Sequence, residues 1–141
     1  MIVDANLLIY AVDESSPHHE TAKDWLTTRI NGDARVAIPW QSIAAFLRIT
    51  THPRASVEPL SPELAWSIAE DWLEMTNVWS PLPGPGYPAI IADLFARHSV
   101  AGNMVPDAML AGLAIEHGLT ICSADTDFAR FTDAKWVNPL N

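Results

Sequence analysis

Four aspartates stand where apolar runs begin or end. Met1-Ile-Val3 runs straight into Asp4, and Leu119-Thr-Ile-Cys122 leads to Ser123-Ala-Asp125-Thr-Asp127. Asp107 follows Pro106 at the head of the apolar stretch 108–115. One side-chain cap suffices to start a helical turn, so the second acid of the Asp125/Asp127 pair needs another reason. Clustered carboxylates repel one another and cost free energy unless a cation neutralises them. Mg2+ and Mn2+ take oxygen ligands, keep several waters, and suit a small group of acids whose shell an anionic substrate completes. Phosphate chemistry assisted by such an ion is what these residues could do if they meet.

Read singly, each acid has a simpler role. Asp4 could cap the helix that starts near Asn6, and Asp125 the turn 126–130. Asp107 and Asp127 could be first-turn charges favoured by the helix dipole. The metal reading depends on convergence, and therefore on the elements that carry the acids. Short apolar strands are expected at 1–3, 36–38, 78–79, 119–122 and 132–137. Helical spacing appears between them: Ala22, Trp25, Leu26 and Ile30 within 18–30, and Ile43, Ala44, Leu47 and Thr51 within 40–51. Ser61-Pro62 opens a helix striped by Leu64, Ile68, Trp72 and Met75. Helices over 88–100 and 106–117 follow, the last striped by Met104, Ala108, Ala111 and Ile115. Short continuous strands between helices imply an α/β fold, a three-layer sandwich whose parallel sheet is flanked by helices, in one domain over 1–141. Ligands of such sheets sit beyond the carboxyl ends of the strands. If the first strand and the 119–122 strand are neighbours, Asp4, Asp125 and Asp127 share one crevice, and Asp107 can face it from its helix N-terminus.

Eight Lys and Arg against 17 Asp and Glu leave a net charge of −9. That field repels nucleic acid at long range, so an anionic substrate needs metal ions or a local basic rim; otherwise the charge serves solubility alone. Arg48, with His52 and Arg54 beyond it, and Arg130 next to the acids are the candidate rim for contact with an anionic substrate. Trp25, Trp66 and Trp72 fall at core spacing, while Trp40 opens a helix. His18-His19 is expected at the surface. The lone Cys122 is expected to be buried and excludes an internal disulfide. The N-terminus has no basic region before its apolar run, and no segment reaches the roughly 20 apolar residues of a membrane span. A soluble, cytoplasmic protein without membrane contact is expected.

The segments MIVDANLLIYAVD, PWQSIAAFLRITTHP, GNMVPDAMLAGLAIEHG and SADTDFARF, in this order and spacing, resemble a PIN-domain protein, specifically the ribonuclease toxin of a VapBC toxin–antitoxin pair. The resemblance implies an endoribonuclease dependent on Mg2+ or Mn2+, a cognate VapB-type antitoxin, an RNA substrate and a homodimer. It makes Asp4 and Asp107 the principal metal-binding acids, Asp125 the C-terminal acid and Asp127 its companion. Asn6 and Ser123 fall on polar positions that line the site. Two-metal hydrolysis is then expected, with one ion at Asp4 and Asp107 and another nearer Asp125 and Asp127. The chain departs from the family at Ala45, where many members carry a glutamate. That departure supports a rival reading, a PIN-like module that binds antitoxin or RNA without cutting. A haloacid-dehalogenase-like phosphatase is a second rival, but it needs an acid where this chain has Asn6. For the antitoxin, a groove walled by residues 81–86 and the helix over 61–75 is expected.

Overall fold

The computed structural model describes residues 1–141. In chain order the elements are β1 (Ile2–Val3), α1 (Ala5–Val12), α2 (His19–Ile30), β2 (Val36–Ala37), α3 (Trp40–Thr50) and α4 (Pro62–Glu74). They continue with β3 (Val78–Trp79), α5 (Tyr87–His98), α6 (Met104–His117), β4 (Thr120–Cys122), a 3₁₀ turn (Thr126–Arg130) and β5 (Lys135–Val137). The strands form one sheet in the order β3-β2-β1-β4-β5, and every pairing is parallel. Ile2 stands opposite Ala37 on one side and Ile121 on the other. The strand order therefore reverses between β1 and β4, which makes their carboxyl ends the switch point where such sheets bind ligands.

Strands of two or three residues carry few ladder bonds, so packing on both faces must hold them. Side chains alternate across the sheet with period two. Val3, Val36, Ile38 and Cys122 point to one face, against Leu7, Leu8, Leu26, Ile43, Phe46 and Trp72 of α1–α4. Ile2, Ala37 and Ile121 point to the other, against Leu94, Ala108, Leu110 and Leu113 of α5 and α6. Right-handed crossovers account for this division. The chain steps outward through β1, β2 and β3 with α1–α4 on one face, then returns past β1 to β4 with α5 and α6 on the other. The three-layer sandwich expected from the sequence is present.

The helix boundaries have local causes. Ser61 accepts a hydrogen bond from the Leu64 N–H at 3.1 Å and Pro62 opens α4. Gly118, at φ 67°, ends α6 in the left-handed region, which lets the chain turn at once into β4. A Cβ on Gly112 would lie 2.5 Å from Ile91 Cδ1, so the bare backbone is what lets α5 and α6 close on each other.

Three details differ from expectation. The buried stripe of α3 is Ser42, Ile43, Phe46 and Thr50, with Ala44 exposed; the helix is rotated so that Phe46 meets Trp72 edge-on at 4.9 Å. In α4 the buried positions are Ala65, Ala69 and Trp72. Leu64 and Trp66 remain 49% and 40% exposed, because small alanines, rather than the larger residues, let α4 approach its neighbours. His19 is not a surface residue: its side chain is 11% exposed, and its Nδ1–H donates to the Tyr10 carbonyl at 2.9 Å. No helix is long and apolar enough to cross a membrane.

Phe46 is fully buried and joins α3, α4 and the sheet. Phe46→Ala should lower unfolding free energy by about 3–5 kcal/mol, measurable by urea denaturation.

Candidate metal centre

Asp4 is the last residue before α1 and the first beyond β1, held in the sheet by its N–H to the Cys122 carbonyl at 3.0 Å. Its Oδ1 accepts from the Ala5 N–H at 2.8 Å, and its Oδ2 accepts from the Ser123 hydroxyl at 2.7 Å. Ser123 is fully buried. Its oxygen also accepts from Asn6 Nδ2 at 3.0 Å and from the Asp125 N–H at 3.0 Å. With both lone pairs engaged, its one proton is directed at Asp4. Asn6 completes the ring by accepting from the Ala124 N–H at 3.3 Å. One hydroxyl thus ties the tip of β1 to the tip of β4. The same contacts commit Asn6 as an amide, leaving no acid there for aspartyl-phosphate chemistry.

Asp125 caps the 3₁₀ turn, accepting from the Asp127 N–H at 2.8 Å. Capping engages one oxygen and leaves the other available, so the cap does not exclude a ligand role. Asp107 reaches the same place from the first turn of α6, which begins at Met104 rather than at Pro106. Carboxylate oxygens of Asp107, Asp125 and Asp127 lie within 4.8 Å of one another. Asp4 stands beside this trio and raises the Asp107 pKa. The tightest group therefore pairs Asp107 with the C-terminal acids, with Asp4 adjoining through Ser123.

The electrostatics bear the marks of crowding. Burial lifts the Asp107 carboxyl to about 6, with Asp125, Asp4 and Asp127 adding to the rise and Arg130 opposing it. Asp4 is raised by burial and, less, by Asp125, against the lowering effect of its Ser123 and Ala5 hydrogen bonds. Arg130 lies 3.6 Å from Asp127 and is the cation that acts on Asp107. An all-oxygen donor set, crowded, part-desolvated and under-neutralised, fits Mg2+ or Mn2+.

The other cations stand farther off. Arg48 is seven residues down α3 from Gln41, about 10 Å along the axis, and Arg54 lies in the loop beyond α3, its N–H donating to His52 Nδ1 at 3.0 Å. Trp40, 49% exposed, sits at the carboxyl edge of β2. The two walls expected for an antitoxin groove do not face each other. Residues 81–86 are pinned to α6, where Glu116 accepts from the Gly84 N–H at 2.6 Å and His117 Nε2–H donates to the Leu82 carbonyl at 2.8 Å. The helix α4 lies on the opposite layer. A cleft of about 540 Å³ opens elsewhere, at the C-terminal ends of α1 and α3, lined by Ile9, Val12, Leu60, Asp13, Glu14 and Glu58 among others.

Two polar residues that the sequence reading passed over also touch the site's framework. The Ser42 hydroxyl donates to the Val3 carbonyl at 2.7 Å, and Gln41 Nε2 donates to the Pro106 carbonyl at 2.6 Å. The available signal was a serine on the buried face of a helix's first turn, where a hydroxyl needs a partner.

The PIN domain family model matches residues 1–134. Ribonuclease VapC33 of Mycobacterium tuberculosis is 37% identical over 140 residues, spanning 99% of this chain and 98% of its own. Ribonuclease VapC37 of the same organism is 37% identical over 138 residues, spanning 98% and 96%. Among solved structures, VapBC-1 from nontypeable Haemophilus influenzae matches with a TM-score of 0.67 at 16% identity, over 99% of this chain and 98% of that one. VapBC2 from Rickettsia felis, bound to a DNA fragment from its promoter, matches at 0.65 and 15% identity, over 97% and 96%. At these identities the structural likeness speaks for the fold. With a family match across nearly its whole length and full-length relatives above a third identical, the chain belongs to the PIN-domain family, in its VapC-type branch.

Proposed function

We propose that this chain is the endoribonuclease toxin of a type II toxin–antitoxin pair, cutting RNA phosphodiesters with Mg2+ or Mn2+ held by Asp4, Asp107, Asp125 and Asp127. The observation that carries the reading is the convergence of Asp107, Asp125 and Asp127 within 4.8 Å, with Asp4 beside them, at the sheet's switch point. Relatives 37% identical over their full length are named ribonucleases, which supports RNA as the substrate. The neighbouring folds are VapBC assemblies, which supports a VapB-type antitoxin as the partner.

Bound at this cluster, a divalent cation supplies positive charge for the phosphate and lowers the pKa of water. The chain's own residues do the rest. Asp107, near pKa 6, gives up its proton as the centre fills, so affinity for the cation should fall as pH drops through that value. Ser123 and Asn6 hold Asp4 in one orientation. Arg130 is the cation nearest the acids and would contact phosphate. Arg48 and Arg54 would serve flanking nucleotides rather than the cut itself, and Trp40 offers a face on which a base can stack.

A second reading is favoured by Ala45. No carboxylate comes from α3, so a chain that binds metal and antitoxin or RNA without cutting is consistent with the same cluster.

Cleavage of a labelled RNA pool with Mn2+ separates the two. The nuclease reading expects cutting that EDTA or Asp4→Asn abolishes. Mn2+ binding without cutting, with activity appearing on Ala45→Glu, would establish the second reading instead.

Crowding also has a stability signature. A carboxyl whose folded pKa is raised binds protons more tightly when folded, so stability falls as pH rises from about 4 toward 6. Asp107→Asn should therefore stabilise the metal-free protein at pH 7 by on the order of 1–2 kcal/mol, allowing for solvent screening. The gain should vanish below about pH 4, near the unfolded carboxylate range. Thermal melts in EDTA across pH read this directly.

A further inference from the structure

We infer that the first turn of α3 is a positioning element for the metal centre, acting through Gln41 and Ser42 on the backbone just before Asp4 and Asp107. The inference rests on the proposed cation site. Ser42 is 2% exposed and its hydroxyl donates to the Val3 carbonyl at 2.7 Å, one residue before Asp4. Gln41 Nε2 donates to the Pro106 carbonyl at 2.6 Å, one residue before Asp107. Two consecutive side chains of one helical turn thus grip the residues preceding two acids that come from separate elements. Asp4 ends a strand at the head of α1, on one layer of the sandwich, and Asp107 belongs to α6, on the other. The contacts span 39 and 65 residues of sequence, so they are bridges across the fold, not local caps.

The identity of residue 45 gives these bridges their weight. Ala45 lies one turn beyond Gln41 on the same helical face. An acid there would couple α3 to the centre by ligation. With alanine, α3 couples through an amide and a hydroxyl, which set the spacing of Asp4 and Asp107 before any cation arrives. Partners that orient a ligand without touching the ion commonly change metal affinity by about tenfold or more when removed.

The test titrates Mn2+ into the RNA-free full chain, following free Mn2+ by electron paramagnetic resonance, alongside thermal melting without metal. Gln41→Met keeps the side chain's length and helix propensity and removes the donor. Gln41 is part-exposed, so its loss should move the melting temperature by no more than about 3 °C. Mn2+ affinity should weaken about tenfold, and Gln41→Met should add nothing further on an Asp107→Asn background, since it acts through Asp107. Unchanged affinity in Gln41→Met, or the full weakening persisting on Asp107→Asn, overturns the inference while leaving the metal centre standing. An unsubstituted chain that binds no Mn2+ overturns both.

Discussion

Repulsion among four carboxylates at one sheet edge is the constraint to which the surrounding structure answers. Asp107 shows it most clearly. Part-buried, with three acids close by and one arginine in opposition, it is held near pKa 6. A fold gains nothing in stability from that arrangement. It persists because elements from both ends of the chain are locked into place by contacts that owe nothing to the acids: the apolar layers above and below strands two or three residues long.

What the fold does supply to the acids is orientation. The Ser123 hydroxyl, with a single proton and two occupied lone pairs, can satisfy only one geometry, and that geometry fixes Asp4 against the start of the loop bearing Asp125. Asp125 in turn uses its own oxygen to fold the 3₁₀ turn that presents Asp127. Capping and the proposed metal binding therefore do not compete in these residues, since the cap itself sets where the second carboxylate stands. On the proposed function, this division also reconciles an acidic protein with an acidic polymer. The overall −9 charge would repel RNA at a distance, while cations held at the crowded edge would draw phosphate to that one place.

Much of this was legible in the residues. Runs such as MIV and LTIC, followed by aspartates, marked strand tips, and the alternation of strands with helices implied a parallel sheet whose tips form a site. The aspartates at those tips, Asp4, Asp125 and Asp127, and Asp107 at its helix start were legible as a group that could meet. The family resemblance added Asn6 and Ser123, which hydrogen-bond beside Asp4. Side-chain periodicity served less well for helix rotation: α3 turns Phe46 inward against Trp72, and in α4 the buried face follows Ala65 and Ala69, whose value lies in close approach rather than hydrophobicity. A serine on the buried face of a first turn signals that Ser42 needs a partner. Which partner, and the bond of Gln41, were beyond reach because both acceptors are backbone carbonyls, which leave no mark in sequence. The placing of the cations likewise depends on the fold: Arg48 lies in the last turn of α3 and Arg54 in the loop beyond it, while Arg130 stands 3.6 Å from Asp127.

The most direct measurement is anomalous diffraction from crystals of the protein soaked in Mn2+. A peak is expected bounded by Asp107, Asp125 and Asp127, with at least one carboxylate oxygen of each at a coordinating distance of about 2.0–2.3 Å. Ordered carboxylates with no peak among them, or a peak confined to another acidic surface such as the cleft lined by Asp13, Glu14 and Glu58, would contradict the proposed metal centre.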